Sequence, residues 1–186
     1  MSVLSMEDYR EFVKARSIYP GSGSLLGALY CGLKMAGESG ELLEHVRLNS
    51  NKSLILKEAG DVLWYVIATE RELGMALSVT KQPMQPWLRE DDALDWADAL
   101  VIATTRYTES LGKSMRDGGF SPGVNFDRMD EAWRQRLKDA LENVLFCIAG
   151  VAHSYGKKLH QIAEMNVAKL TDRDARGVTK GDGDNR

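Results

Sequence analysis

Apolar residues recur at spacings of three and four along almost the whole chain, and no stretch of useful length alternates with period two, so the pattern predicts helices and no strands. The predicted helices run over about 5–17, 25–48, 53–78, 90–116, 128–155 and 159–170. Ser5 followed by Glu7 and Asp8 is a capped start, and Tyr9, Phe12, Val13 and Ala15 to Arg16 form the packing side of the first helix. The connector Tyr19-Pro20-Gly21-Ser22-Gly23-Ser24 ends it, and the turn Asn49-Ser50-Asn51-Lys52 is short enough to make the next two helices antiparallel neighbours. All four prolines, Pro20, Pro83, Pro86 and Pro122, fall in or beside polar or glycine-rich stretches, and residues 171–186 form a polar, charged tail. The expected fold is a single all-α domain over residues 1–170.

Two of the helices resemble each other. Asp61-Val62-Leu63-Trp64-Tyr65-Val66-Ile67-Ala68 aligns without gaps on Asn143-Val144-Leu145-Phe146-Cys147-Ile148-Ala149-Gly150, and Gly74 falls on Gly156 at the same offset of 82. Upstream, Glu38 and Glu41 meet Arg106 and Glu109 at an offset of 68. Either two buried amphipathic helices share a generic apolar pattern, or a helical hairpin over about 25–78 was duplicated over about 90–156 into a pseudo-dimer whose second copy has lost most of its acids. Duplication is the reading adopted here.

Composition narrows the partners. At 186 residues, with 44% hydrophobic and 27% charged positions, the chain is long and apolar enough to bury one core. A net charge of −3 lacks the basic excess that nucleic-acid binding requires. The longest strongly apolar run, residues 144–152, falls far short of a bilayer span, and the first nine residues lack the shape of an export signal. Cys31 and Cys147 sit in apolar surroundings without metal-ligand spacing, which reads as reduced core thiols in a soluble, cytoplasmic protein.

The chemistry concentrates in Glu38-Ser39-Gly40-Glu41 and Glu58-Ala59-Gly60-Asp61. Residues three apart share a helix face, so each tetrapeptide presents two carboxylates in one direction, beside the apolar Leu42 and Val62. On antiparallel neighbours the pairs face each other. Four carboxylates beside a core repel one another and would take up protons unless a cation neutralises them, and Mg²⁺, which is held by a few carboxylates, waters and phosphates, fits best, with Mn²⁺ as the alternative ion. The competing reading is a solvated acidic face salted by Lys34 and Lys57. Gly40 and Gly60, each costing about 1 kcal/mol against alanine in a helix interior, point to close helix approach or ligand access.

The run Gly32-Leu33-Lys34-Met35-Ala36-Gly37-Glu38-Ser39-Gly40-Glu41-Leu42-Leu43-Glu44, then Glu58-Ala59-Gly60-Asp61-Val62-Leu63-Trp64-Tyr65, resembles the E-x-x-E and E-x-x-D signature of the MazG-like, all-α nucleoside triphosphate pyrophosphohydrolases. Asn166-Val167-Ala168-Lys169-Leu170-Thr171-Asp172-Arg173 is similar to that family's N-x-x-K-L-x-x-R segment. The resemblance implies a MazG-like bundle that hydrolyses nucleoside triphosphates to monophosphate and pyrophosphate, with Mg²⁺ on Glu38, Glu41, Glu58 and Asp61. It also implies that Lys169 and Arg173 hold the phosphate tail, that Asn166 reaches the metal-bound phosphate or the sugar, and that Trp64 and Tyr65 line the base pocket. Glu38 is the candidate for positioning the attacking water. The chain departs from short members of the family by the intervening second hairpin, in which Ala140 and Asn143 stand where Glu58 and Asp61 stand in the first. Further homodimerisation is in keeping with the resemblance. The alternative function is a non-catalytic nucleotide-binding or regulatory helical module, and a purely structural adaptor is the third.

Overall fold

The computed structural model describes residues 3–78, 88–89, 92–117 and 129–178. Within them the chain is all-α: α1 Met6–Ala15, α2 Leu25–Arg47, α3 Lys52–Glu72, α4 Ala93–Arg116, α5 Glu131–Ser154 and α6 Leu159–Arg176. The sequence also predicts a glycine-rich loop from Asp117 to Asn125, which beyond Asp117 lies outside the described residues, as do three of the four prolines and the tail beyond 178. None of the helices is long and apolar enough to cross a membrane.

Local chemistry sets the ends. Ser5 accepts from the Asp8 amide while Asp8 reaches back to the Ser5 amide, a reciprocal cap that starts α1. Asn51, Asp92 and Asp130 cap α3, α4 and α5 with side-chain oxygens. Four helices end the same way, with a left-handed residue and two back-bonds to the last turn. The terminating residues are Asn49 (φ 50°), Gly74 (φ 58°), Gly156 (φ 67°) and Gly177 (φ 67°). Gly74 therefore stops α3 at Glu72, six residues before the expected end at 78. The opposite correction applies to α6, which was expected to end at 170 and continues to Arg176. Its polar last turns are held by an Arg16–Asp174 ion pair, an Arg176–Asp172 pair one turn apart, and a buried Arg173.

Two antiparallel hairpins, α2 with α3 and α4 with α5, pack through α2 on α4 and α3 on α5, while α6 lies along α3 and α1 bridges α3 and α6. The core runs through both hairpins, from Met35, Leu42 and Leu63 to Leu100, Leu137 and Ile148. Tyr9 and Val13 are buried as expected on α1, but Ala15 is exposed. Cys31 and Cys147 are free and buried, and burial pushes their thiols up to about 11 and about 12.

The two glycines beside the acids differ. A Cβ on Gly60 would lie 3.1 Å from the Asn166 Cβ, so its absence lets α6 close on α3. Gly40 is exposed with nothing within 4 Å of a Cβ, and marks no close approach. Gly40→Ala is accordingly expected to stabilise the chain by about 1 kcal/mol and raise the melting temperature by roughly 3 °C, readable by calorimetry; a neutral or lowered melting point would contradict the open surroundings.

Candidate functional site

The site forms where α2, α3 and α6 meet. Glu38 on α2 and Glu58 and Asp61 on α3 each offer one carboxylate oxygen, and these three oxygens lie within 4.8 Å of one another. Glu38 is 9% exposed and Glu58 5% exposed. Glu41, expected as the fourth member, is exposed and stands outside the group. The reason is helical geometry: three residues advance a helix by 300°, which leaves Glu41 about 60° from Glu38, and the face of α2 centred on Cys31, Met35, Glu38 and Leu42 is the one turned inward. A set of three acidic oxygens suits a hard divalent ion.

Asp61 is the best connected of the three. Its Oδ2 lies 2.5 Å from the Lys169 Nζ, and its Oδ1 accepts from the Asn166 Nδ2 at 3.0 Å. The Asn166 Oδ1 in turn accepts from the Tyr9 hydroxyl at 2.9 Å, so the buried relay Tyr9–Asn166–Asp61 ties α1 and α6 to the acid. Burial pushes the Asp61 carboxyl up, the Lys169 ammonium pulls it down, Glu38 pushes it up again, and Arg173 adds a smaller pull down. Lys34, half-buried one turn before Glu38, pairs with it at 2.9 Å. The cluster thus carries cations of its own, Lys34 on Glu38 and Lys169 on Asp61.

Beside the acids opens a cavity of about 370 Å³ with Glu38, Asp61 and Arg173 on its polar side and Tyr30, Trp64 and Tyr65 on its aromatic side. Tyr19, which also lines it, stacks on Tyr30 at 5.2 Å between centroids, and Trp64 meets Tyr65 edge-on at 4.9 Å. The Trp64 Nε1–H is buried and has no hydrogen-bond partner among the described residues. A second cavity of similar volume, between α1 and α3, shares none of these residues.

Of the residues expected from sequence, the structure brings together Glu38, Glu58, Asp61, Asn166 and Lys169, with Trp64 and Arg173 on the adjoining cavity. It adds Tyr9, and it adds Glu72, which the pattern did not single out. The Glu72 carboxylate, fully buried, accepts from the Tyr19 hydroxyl (2.7 Å) and from the Gly23 and Ser24 amides (2.6 and 3.1 Å). The glycine-rich connector is therefore fastened to α3, and Tyr19 with it to the cavity wall. No local signal could have revealed this, because Glu72 meets these partners some fifty positions away in sequence.

No family model matches the chain, and no solved structure matches it. The chain is similar to the protein described as "Gene 37 protein" of Mycobacterium phage L5, at 28% identity over an alignment of 92 positions that covers 42% of this chain and 81% of that protein.

Proposed function

We propose that this chain is a divalent-metal-dependent nucleoside triphosphate pyrophosphohydrolase of the MazG-like class, converting (deoxy)nucleoside triphosphates to monophosphate and pyrophosphate. The observation that carries the reading is the juxtaposition of three converging carboxylates with an aromatic-lined cavity that also holds an arginine. A bound Mg²⁺ or Mn²⁺ would polarise a phosphoryl oxygen and neutralise its charge. Glu38, Glu58 and Asp61 would hold the ion. Glu38, which also lines the cavity, is the residue placed to orient an attacking water. Arg173 has the planar fork that suits a phosphate, and Trp64 and Tyr65 offer faces for a base.

We read the second hairpin as a degenerate copy of the first, which would make the chain a pseudo-dimer with one site. Glu109, the counterpart of Glu41, pairs with Lys113 at 2.9 Å on the surface, and no second group of three ligands occurs among the described residues.

One observation favours the non-catalytic alternative. Lys34 and Lys169 already balance two of the three acids, so the cluster can persist as an ion network without turnover. The deciding experiment is pyrophosphate release from a panel of NTPs and dNTPs with Mg²⁺, comparing the intact chain with Glu58→Gln. Metal-dependent release that falls in the variant by on the order of 10²-fold or more is the expected result. Silence across the panel, with nucleotide and Mg²⁺ still raising the melting temperature, would establish the binding module instead.

A further inference from the structure

Asp61 already holds one cation, Lys169, and belongs to the oxygen group that would hold a second. Its Oδ2 is 2.5 Å from the Lys169 Nζ, whose side chain is 8% exposed, while the same side chain supplies the third oxygen of the group with Glu38 and Glu58. A divalent ion seated on those oxygens would share a poorly solvated space with an ammonium already in contact with the Asp61 carboxylate, and like charges there repel with little screening. We propose that Lys169 is a resident competitor for the ion: ion and ammonium hold Asp61 in alternation, and entry of the ion releases Lys169 toward the anionic part of the ligand.

This rests on the metal centre of the proposed function and goes beyond it by ordering events, with the ion first, the lysine freed second and the phosphates captured third. The residues are suited to the exchange. Lysine carries a compact charge on a flexible four-carbon stem, which can swing, whereas an arginine fork is committed to its plane. Asn166, held from behind by Tyr9, keeps its bond to Oδ1, so Asp61 retains its orientation when Oδ2 changes partner. By linkage, an ion that displaces the lysine favours the anion that accepts it, and the anion favours the ion by the same factor.

Two measurements test this on the full chain. Calorimetric titration with Mn²⁺ in the absence of nucleotide is expected to show Lys169→Met binding the ion roughly tenfold more tightly than the unaltered chain, with Lys169→Arg staying near the unaltered value. Lys34→Met, which removes a charge that pairs with the same cluster from a 42% exposed position, is expected to change the affinity by less than roughly threefold. On the unaltered chain, acylation of Lys169 by an amine-reactive ester, read by mass spectrometry against exposed Lys14, is expected to rise when Mn²⁺ is added. Equal or weaker Mn²⁺ binding by Lys169→Met, or protection of Lys169 that Mn²⁺ leaves unchanged, overturns the competition while the metal centre stands. Absence of Mn²⁺ binding by every variant at millimolar concentration overturns the metal centre and the competition together.

Discussion

Asp61→Asn is expected to lower the proposed metal-dependent pyrophosphate release by on the order of 10³-fold, whereas Glu41→Gln is expected to lower it by less than roughly threefold. The asymmetry follows from where the two residues stand. Asparagine keeps the shape of Asp61 but removes its charge, and its amide group would have to face the Asn166 Nδ2 or the Lys169 Nζ, donor against donor. The buried lysine loses its counter-ion and the divalent ion loses an anionic ligand. Glu41, exposed and outside the oxygen triangle, acts only as a distant solvated charge. A phosphate-coupled pyrophosphate assay on both variants at saturating Mg²⁺ reads the difference directly. Equal losses at the two positions would mean that Glu41 turns inward to complete a four-acid set.

The largest stability effect is expected far from the acids, at Gly150→Ala. A Cβ at this position would lie 2.1 Å from two atoms of the Trp96 ring, which is 4% exposed and packs edge-on against Phe146 at 5.3 Å. Neither α4 nor the indole has room to give, so the variant is expected to lose on the order of 3 kcal/mol and roughly 10 °C in melting temperature. Trp96→Leu in the same chain should recover part of that loss, since the two positions share one space and their effects cannot add. A melting temperature within a degree or two of the unaltered chain would show that α4 and α5 slide apart at little cost.

Much of the fold was written in local pattern. Period 3.6 marked all six helices and Ser5 the start of the first, whereas the cap on Asn51 and the helix ends at Gly74 and Gly156, read from the sequence only as a turn and as aligned glycines, come from the structure. The candidate site was legible as far as residue type and spacing reach: two tetrapeptides on antiparallel neighbours predict converging acids. They do not predict which acid turns inward, because i and i+3 differ by about 60° and tertiary packing of α2 on α4 decides the side of that arc on which Glu41 falls. Gly40 and Gly60 look alike in sequence and differ only in what stands opposite, solvent for one and Asn166 for the other. The Tyr9–Asn166 bond spans 157 positions, and Glu72 reaches back to the connector before α2; neither leaves a trace in any window a pattern can scan.

That long span has a bearing on biosynthesis. Tyr9 precedes Asn166 by 157 positions, so at ordinary elongation rates the partner of Tyr9 is made roughly ten to thirty seconds later. Over that interval the helical hairpins can form and bury their apolar faces, but the inward side of α3 stays uncovered where α6 will lie, and Asp61 waits without asparagine or lysine. The nascent chain therefore presents an acidic, half-open surface, and the acid centre is completed only when α6 has docked.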